Sequence, residues 1–122
     1  MNVGELMSQP TCLVDPESTL AEATTMMGER GVGSALVMEA EHLSGILTER
    51  DIVRAMSTAH DAPARPVVEW MTKRPTTATP DTPVREALRI MVDGGFRHLP
   101  VTDGEKVVGV LSMRDIAKAL AD

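Results

Sequence analysis

The stretch Gly109-Val110-Leu111-Ser112-Met113-Arg114-Asp115-Ile116 decides how the chain is read, because its pattern has already appeared at Gly45-Ile46-Leu47-Thr48-Glu49-Arg50-Asp51-Ile52, 64 positions earlier. In each copy an apolar run that reads as a strand passes through a hydroxyl residue into a short amphipathic run, so Thr48 and Ser112 fall at helix N-caps. Asp51 and Asp115 follow three residues inside. Two readings fit. In one, several unpaired backbone N–H groups and the positive end of a helix dipole face whatever lies beyond the strand end, beside a hydroxyl, an arginine and a carboxylate, all groups that a nucleotide can use. In the other, [ST]-x-x-[DE] is a capping box whose hydroxyl and carboxylate satisfy the helix's own first N–H groups. A cap needs no arginine at its second position, and finding Arg before Asp twice strengthens the functional reading.

Working outward, residues 5–57 laid over 69–121 without a gap agree at 15 of 53 positions, against roughly one in sixteen expected by chance, which makes the chain an internal repeat. In the first copy, Val3 to Met7 reads as a helical turn and Thr11 to Val14 as a strand. A helix capped by Ser18 or Thr19 then runs to about Glu29 and ends at Gly31, with Leu20, Ala23, Met26 and Met27 on one face. Strands at Ala35 to Met38 and Leu43 to Leu47 lead to the helix opened by Thr48. The second copy reads as a turn at Glu69 to Thr72, a strand at Thr76 to Thr79, and a helix with Thr82 as cap and Pro83 at its first position, closed by Gly94-Gly95. Strands at Leu99 to Thr102 and Val107 to Leu111 follow, joined through Asp103-Gly104, a hairpin signal, and the helix after Ser112 is last. The organisation is repeat 1 over 1–58, a connector at 59–66 marked by Pro63 and Pro66, and repeat 2 over 67–122. Each repeat is β-α-β-β-α, an α/β (α+β) fold. A half of this size cannot bury both faces of its sheet alone, so packing of the halves about a pseudo-twofold axis is expected.

Composition narrows the function. Hydrophobic residues make up 43% of the chain but aromatics only 2%, which leaves the core to Val, Leu, Ile, Ala and nine Met acting as flexible gap-fillers. A net charge of −6 repels a phosphate backbone and there are few rings to stack on bases, which argues against nucleic acid as a partner. A single cysteine, Cys12, excludes an internal disulfide and a Cys-rich zinc site, and reads as a small buried hydrophobe. His42, His60 and His98 lack ligand spacing, so no metal is expected. No apolar run approaches the ~20 residues of a membrane span, and no signal peptide is evident, so the expectation is a soluble cytoplasmic protein without a membrane partner.

A tandem β-α-β-β-α repeat ending each time in Gly-apolar-apolar-[ST]-x-x-Asp resembles the CBS (cystathionine β-synthase) domain pair, or Bateman module. The resemblance extends over nearly the whole chain and rests on Glu5-Leu6-Met7, Val32-Gly33-Ser34 and Gly45 to Asp51, then on Glu69-Trp70-Met71-Thr72, Arg97-His98-Leu99-Pro100-Val101 and Gly109 to Asp115. It implies an adenosine-containing ligand (AMP, ADP, ATP or S-adenosylmethionine) held between the repeats. It also implies roles: Asp51 and Asp115 on ribose hydroxyls, and Thr48 and Ser112 on ribose or phosphate. Thr76 with its counterpart Cys12, and Phe96 with its counterpart Val32, would border adenine, while Arg50, Arg97, His98 and Arg114 would reach phosphate. Guanidinium groups suit that last task because they grip phosphate through two N–H groups. Where the second repeat has Arg97-His98 the first has Gly33-Ser34, so the halves are unequal. His98 also fits a structural role on a backbone carbonyl, and Arg50 and Arg114 fit surface ion pairs.

Three function classes follow. The leading one is a non-catalytic regulatory module that binds an adenosine nucleotide, forms a homodimer as modules of the family do, needs no cofactor and signals to a separate, unidentified effector protein. An enzyme is disfavoured: Cys12 with one of three His is the sole nucleophile-base pairing, and Asp51 and Asp115 occupy repeat-related positions rather than one acid/base site. The alternative is a ligand-free dimerisation or interaction scaffold, which the presence of both Asp51 and Asp115 argues against.

Overall fold

A computed structural model describes residues 1–122. The chain forms two compact units, Thr11–Pro75 in one and Met1–Pro10 with Thr76–Asp122 in the other. The packing units therefore differ from the sequence repeats: the opening segment of each repeat is built into the unit that holds the body of the other.

In the Thr11–Pro75 unit, α2 (Leu20–Arg30) is capped as its sequence dictates. The Thr19 hydroxyl accepts from Glu22 N and the Glu22 carboxylate accepts from Thr19 N, while Gly31 ends the helix at a left-handed φ of 63° that a side chain would resist. Leu20, Ala23 and Met27, at helical spacing, are buried. The sheet runs in the order β1 (Leu13–Val14), β2 (Ser34–Glu39), β3 (His42–Thr48), β4 (Thr72–Lys73). β1 is parallel to β2, β2 and β3 form an antiparallel hairpin with a bulge between Val37 and Met38, and β4 pairs antiparallel to β3. α3 (Glu49–Thr58) follows β3 directly.

The second unit repeats this plan. α1 (Val3–Leu6) is the opening turn, α4 (Val84–Gly94) ends at Gly95 with φ 73°, and β5 (His98–Asp103) and β6 (Lys106–Ser112) form a hairpin that feeds α5 (Met113–Ala121). The bulge recurs between Val101 and Thr102, and the ladder from His98–Ser112 to Asp103–Lys106 repeats that from Ser34–Thr48 to Glu39–His42 pair for pair. Gly104 turns the hairpin at φ 63°.

Each unit has its own apolar core. Cys12, Val14, Leu20, Ala23, Met27, Ala35, Val37, Leu47, Ala55, Ala62 and Val67 cluster in the first, and Val3, Ala78, Ala87, Met91, Leu99, Val101, Leu111 and Ile116 in the second. Each fully buried Val, Leu or Met contributes about 1.5–3 kcal/mol, and Met27 and Met91 at the same repeat position show methionine serving as core filler.

Three local expectations are corrected. The Thr82 hydroxyl does not cap α4: it accepts from Thr79 N at 3.0 Å, and Pro83 stands at the cap. Thr76 to Thr79 is not a strand, and only Ala78 bridges, in parallel, to Val101. The helical turn expected at Glu69 to Thr72 is a 3-10 turn at Val67–Glu69, after which Thr72–Lys73 turns extended and joins the sheet. The connector holds a second 3-10 turn, Ala62–Ala64, whose Ala62 is fully buried, and Leu20 N donates to Arg65 O at 2.9 Å, so the segment is tied into the core.

Candidate functional site

The two strand-to-helix junctions carry the repeated motif. At the end of β3, Thr48 N donates to Asp51 Oδ2 at 2.9 Å, the Thr48 hydroxyl donates to the same oxygen at 3.1 Å, and Asp51 N returns a bond to Thr48 Oγ1 at 3.4 Å. At the end of β6, Ser112 N donates to Asp115 Oδ2 at 2.9 Å and Asp115 N to Ser112 Oγ at 3.0 Å. Both are capping boxes. A further N–H of each helix is also taken: Glu49 N donates to Gly33 O at 3.2 Å and Met113 N to Arg97 O at 2.9 Å. The expectation of several unpaired N–H groups at these helix starts is thus corrected, because the neighbouring β-strand entry and the cap consume them. What the junctions offer instead is a carboxylate locked in one orientation by its own backbone, with Oδ1 turned away from the cap.

That oxygen has different company in the two units. Asp51 Oδ1 accepts from Arg54 Nη2 at 3.1 Å, and the same nitrogen donates to Trp70 O at 3.3 Å. The Asp51 side chain is 7% exposed and that of Arg54 58%. Asp115 Oδ1 accepts the Ser8 hydroxyl, at 3.3 Å, and Asp115 is half-buried. Lys118, the counterpart of Arg54, is exposed and forms no ion pair with Asp115.

The glycine of the motif has a packing role. A Cβ on Gly45 would lie 2.5 Å from Met71 Sδ and 2.9 Å from Thr72 O; on Gly109 it would lie 2.6 Å from Met7 Sδ and 2.9 Å from Ser8 O. The opening segment of the other repeat passes over this glycine in each case, and it is the segment that delivers Ser8 to Asp115 and the Trp70 carbonyl to Arg54. Arg54, Ser8, Met7 and Met71 were not legible as site residues. The one signal for Arg54 was its spacing three residues after Asp51.

Of the residues singled out from sequence, Ser112, Arg114, Asp115, Arg97 and His98 come together in one unit. His98 faces Ser112 across the β5–β6 ladder and is half-buried, while Arg97 and Arg114 are exposed. Phe96 packs against the core with its ring over Gly94, where a Cβ would meet it at 2.1 Å, and Thr76 is exposed on the segment leading to Ala78. Thr48, Arg50 and Asp51 lie together in the other unit, Arg50 exposed. Cys12 is buried there, and burial pushes its thiol up from the ordinary range, partly offset by the charge of Arg30. The Trp70 indole Nε1 is buried without a hydrogen-bond partner. No group of three or more His, Cys, Asp or Glu side chains is placed to hold a metal ion, and no helix is long and apolar enough to cross a membrane.

The model of the CBS domain family matches residues 3–58 and 67–122. The chain belongs to the CBS domain family. An uncharacterised 17.7 kDa protein of Acidianus ambivalens is 42% identical over 98% of this chain and 73% of its own length. A CBS-domain protein of known structure from Agrobacterium tumefaciens is 27% identical and superposes with a TM-score of 0.92 over 98% of this chain and 99% of its own. The fold is also that of a CBS domain pair solved in complex with 5′-methylthioadenosine and S-adenosyl-L-methionine, 24% identical, TM-score 0.90 over 99% of this chain and 96% of that one. Some curated relatives are longer. The chain spans 61% of a Methanopyrus kandleri protein, at 33% identity, and 13% of an A-adding tRNA nucleotidyltransferase from Geobacter sulfurreducens, at 31%.

Proposed function

We propose that this CBS pair is a non-catalytic regulatory module that binds an adenosine-containing ligand, AMP, ADP, ATP or S-adenosylmethionine, and signals to a separate effector protein as a homodimer. The observation that carries the reading is the Ser112–Asp115 junction: a carboxylate fixed by its own cap, its outer oxygen accepting the Ser8 hydroxyl, with His98 opposite Ser112 in the ladder and Arg97 and Arg114 next to them in the chain. A ribose presents vicinal hydroxyls that donate to such a carboxylate, and a phosphate or other anionic tail suits the guanidinium groups of Arg97 and Arg114. The adenosine compounds in the solved CBS pair support the same ligand class by fold likeness. Regulation then follows from linkage: a ligand shifts the chain toward whichever conformation holds it more tightly, and a partner that distinguishes the conformations reads the shift.

Thermal unfolding against AMP, ADP, ATP and S-adenosylmethionine, with GTP as control, tests the reading. A ligand at ~100 times its dissociation constant stabilises by about 2.7 kcal/mol, several degrees in a domain of this size. A shift with an adenosine compound, absent with GTP and lost in Asp115→Ala, is expected. No shift with any of the four contradicts it and leaves an interaction scaffold.

A further inference from the structure

We propose that Arg54 is a latch that closes the Asp51 carboxylate, so that the two repeats are unequal and the Asp115 junction alone takes the ligand in the resting protein. The proposal rests on the adenosine reading above and assigns that binding to one junction. Asp51 Oδ2 is occupied by its own cap, and Oδ1 by the Arg54 guanidinium, whose Nη2 also donates to the Trp70 carbonyl. A ribose hydroxyl reaching Oδ1 would replace an ion pair with a bond from an uncharged donor and leave the carboxylate, 7% exposed, without its cation. Arg54 is held at two points on different elements, α3 and the segment after Val67–Glu69, so releasing it loses both bonds together.

At Asp115 the corresponding oxygen accepts one hydroxyl, from Ser8, at 3.3 Å, longer than the usual O–H···O distance. A ribose hydroxyl replaces that donor with one of the same kind, and no charge is uncovered. Lys118, exposed at the matching position, makes no ion pair with Asp115, so no latch is closed there. The difference between the junctions thus comes down to Arg54 in one repeat and Lys118 in the other.

Calorimetric titration of the whole chain with AMP, and separately with 5′-methylthioadenosine, which keeps the ribose hydroxyls but lacks a phosphate, tests the latch. One site per chain is expected, lost in Asp115→Ala. Arg54→Ala should gain a second site, and adding Asp51→Ala to that variant should remove it again. Arg54→Gln, which keeps most of the stem, repeats the test should Arg54→Ala fold poorly. In the converse direction Lys118→Arg, at an exposed position, should weaken the native site about tenfold by building a second latch. Two equivalent sites in the unaltered chain, a site that survives Asp115→Ala, or an unchanged stoichiometry in folded Arg54→Ala and Arg54→Gln would overturn the latch while leaving adenosine binding intact. Absence of binding in every variant would instead overturn the adenosine reading, and the latch with it.

Discussion

The junction after β3 and the junction after β6 are the same object up to the last bond. Both put a hydroxyl at the cap and a carboxylate three residues on, both spend one carboxylate oxygen on the cap, and both run under a glycine pressed by a methionine from the other repeat. They part at the second oxygen, which is ion-paired to Arg54 at Asp51 and lightly held by Ser8 at Asp115. Local chain chemistry dictates the shared part, because a capping box needs only its own four residues. The differing part depends on one side chain a turn further along the helix and on a segment that arrives from elsewhere in the sequence. Duplication fixes the scaffold, and single substitutions around it set what each copy can bind.

The shared part breaks hardest. Gly45→Ala and Gly109→Ala each drive a Cβ into a backbone carbonyl that cannot yield, and each is expected to cost about 1–3 kcal/mol. Urea unfolding that finds one costly and the other neutral would show that the exchanged segments do not pack alike. Next, Asp51→Ala should cost about 2 kcal/mol and Asp115→Ala about 1 kcal/mol, since both lose a cap but only the first strands a guanidinium partner; equal losses would contradict the asymmetry. A double-mutant cycle sharpens it further: coupling between Arg54 and Asp51 of about 0.5–1 kcal/mol, moderated by the exposure of Arg54, against less for Ser8 with Asp115. At the small end, Trp70→Phe should change stability by under about 1 kcal/mol, because relief of the buried, unpaired indole N–H offsets the packing lost with the smaller ring.

One pH dependence is expected in the first unit. Burial raises the Cys12 thiol pKa above its unfolded value. The unfolded chain therefore ionises first, and the contribution of the neutral thiol is present below the unfolded pKa, about 8.5, and is lost as pH rises from there through the folded value. Stability should fall above about pH 8.5 and the fall should be shallower in Cys12→Ala, measured by unfolding across pH 7 to 10.

Much of this was legible in the sequence. The helices, hairpins, left-handed glycines Gly31 and Gly95 and the caps at Thr19, Thr48 and Ser112 depend on residues within one turn of each other, and periodicity and cap chemistry report such interactions directly. Thr82 misled because a threonine before a proline signals a cap, whereas its hydroxyl turned back to Thr79. The Thr76 to Thr79 segment has β-branched letters but only one bridge, since strand pairing depends on a neighbour the letters do not name. The closeness of Met7 to Gly109, of Ser8 to Asp115 and of the Trp70 carbonyl to Arg54 arises from segments far apart or exchanged between repeats, and no local pattern carries it.

The most direct test is a crystal structure of the protein grown with AMP. Ribose hydroxyls on Asp115 with Ser8 displaced or shared, and the Arg54–Asp51 pair still closed, are expected. Ribose on Asp51 with Arg54 swung away, and Asp115 still bonded to Ser8, would contradict the latch.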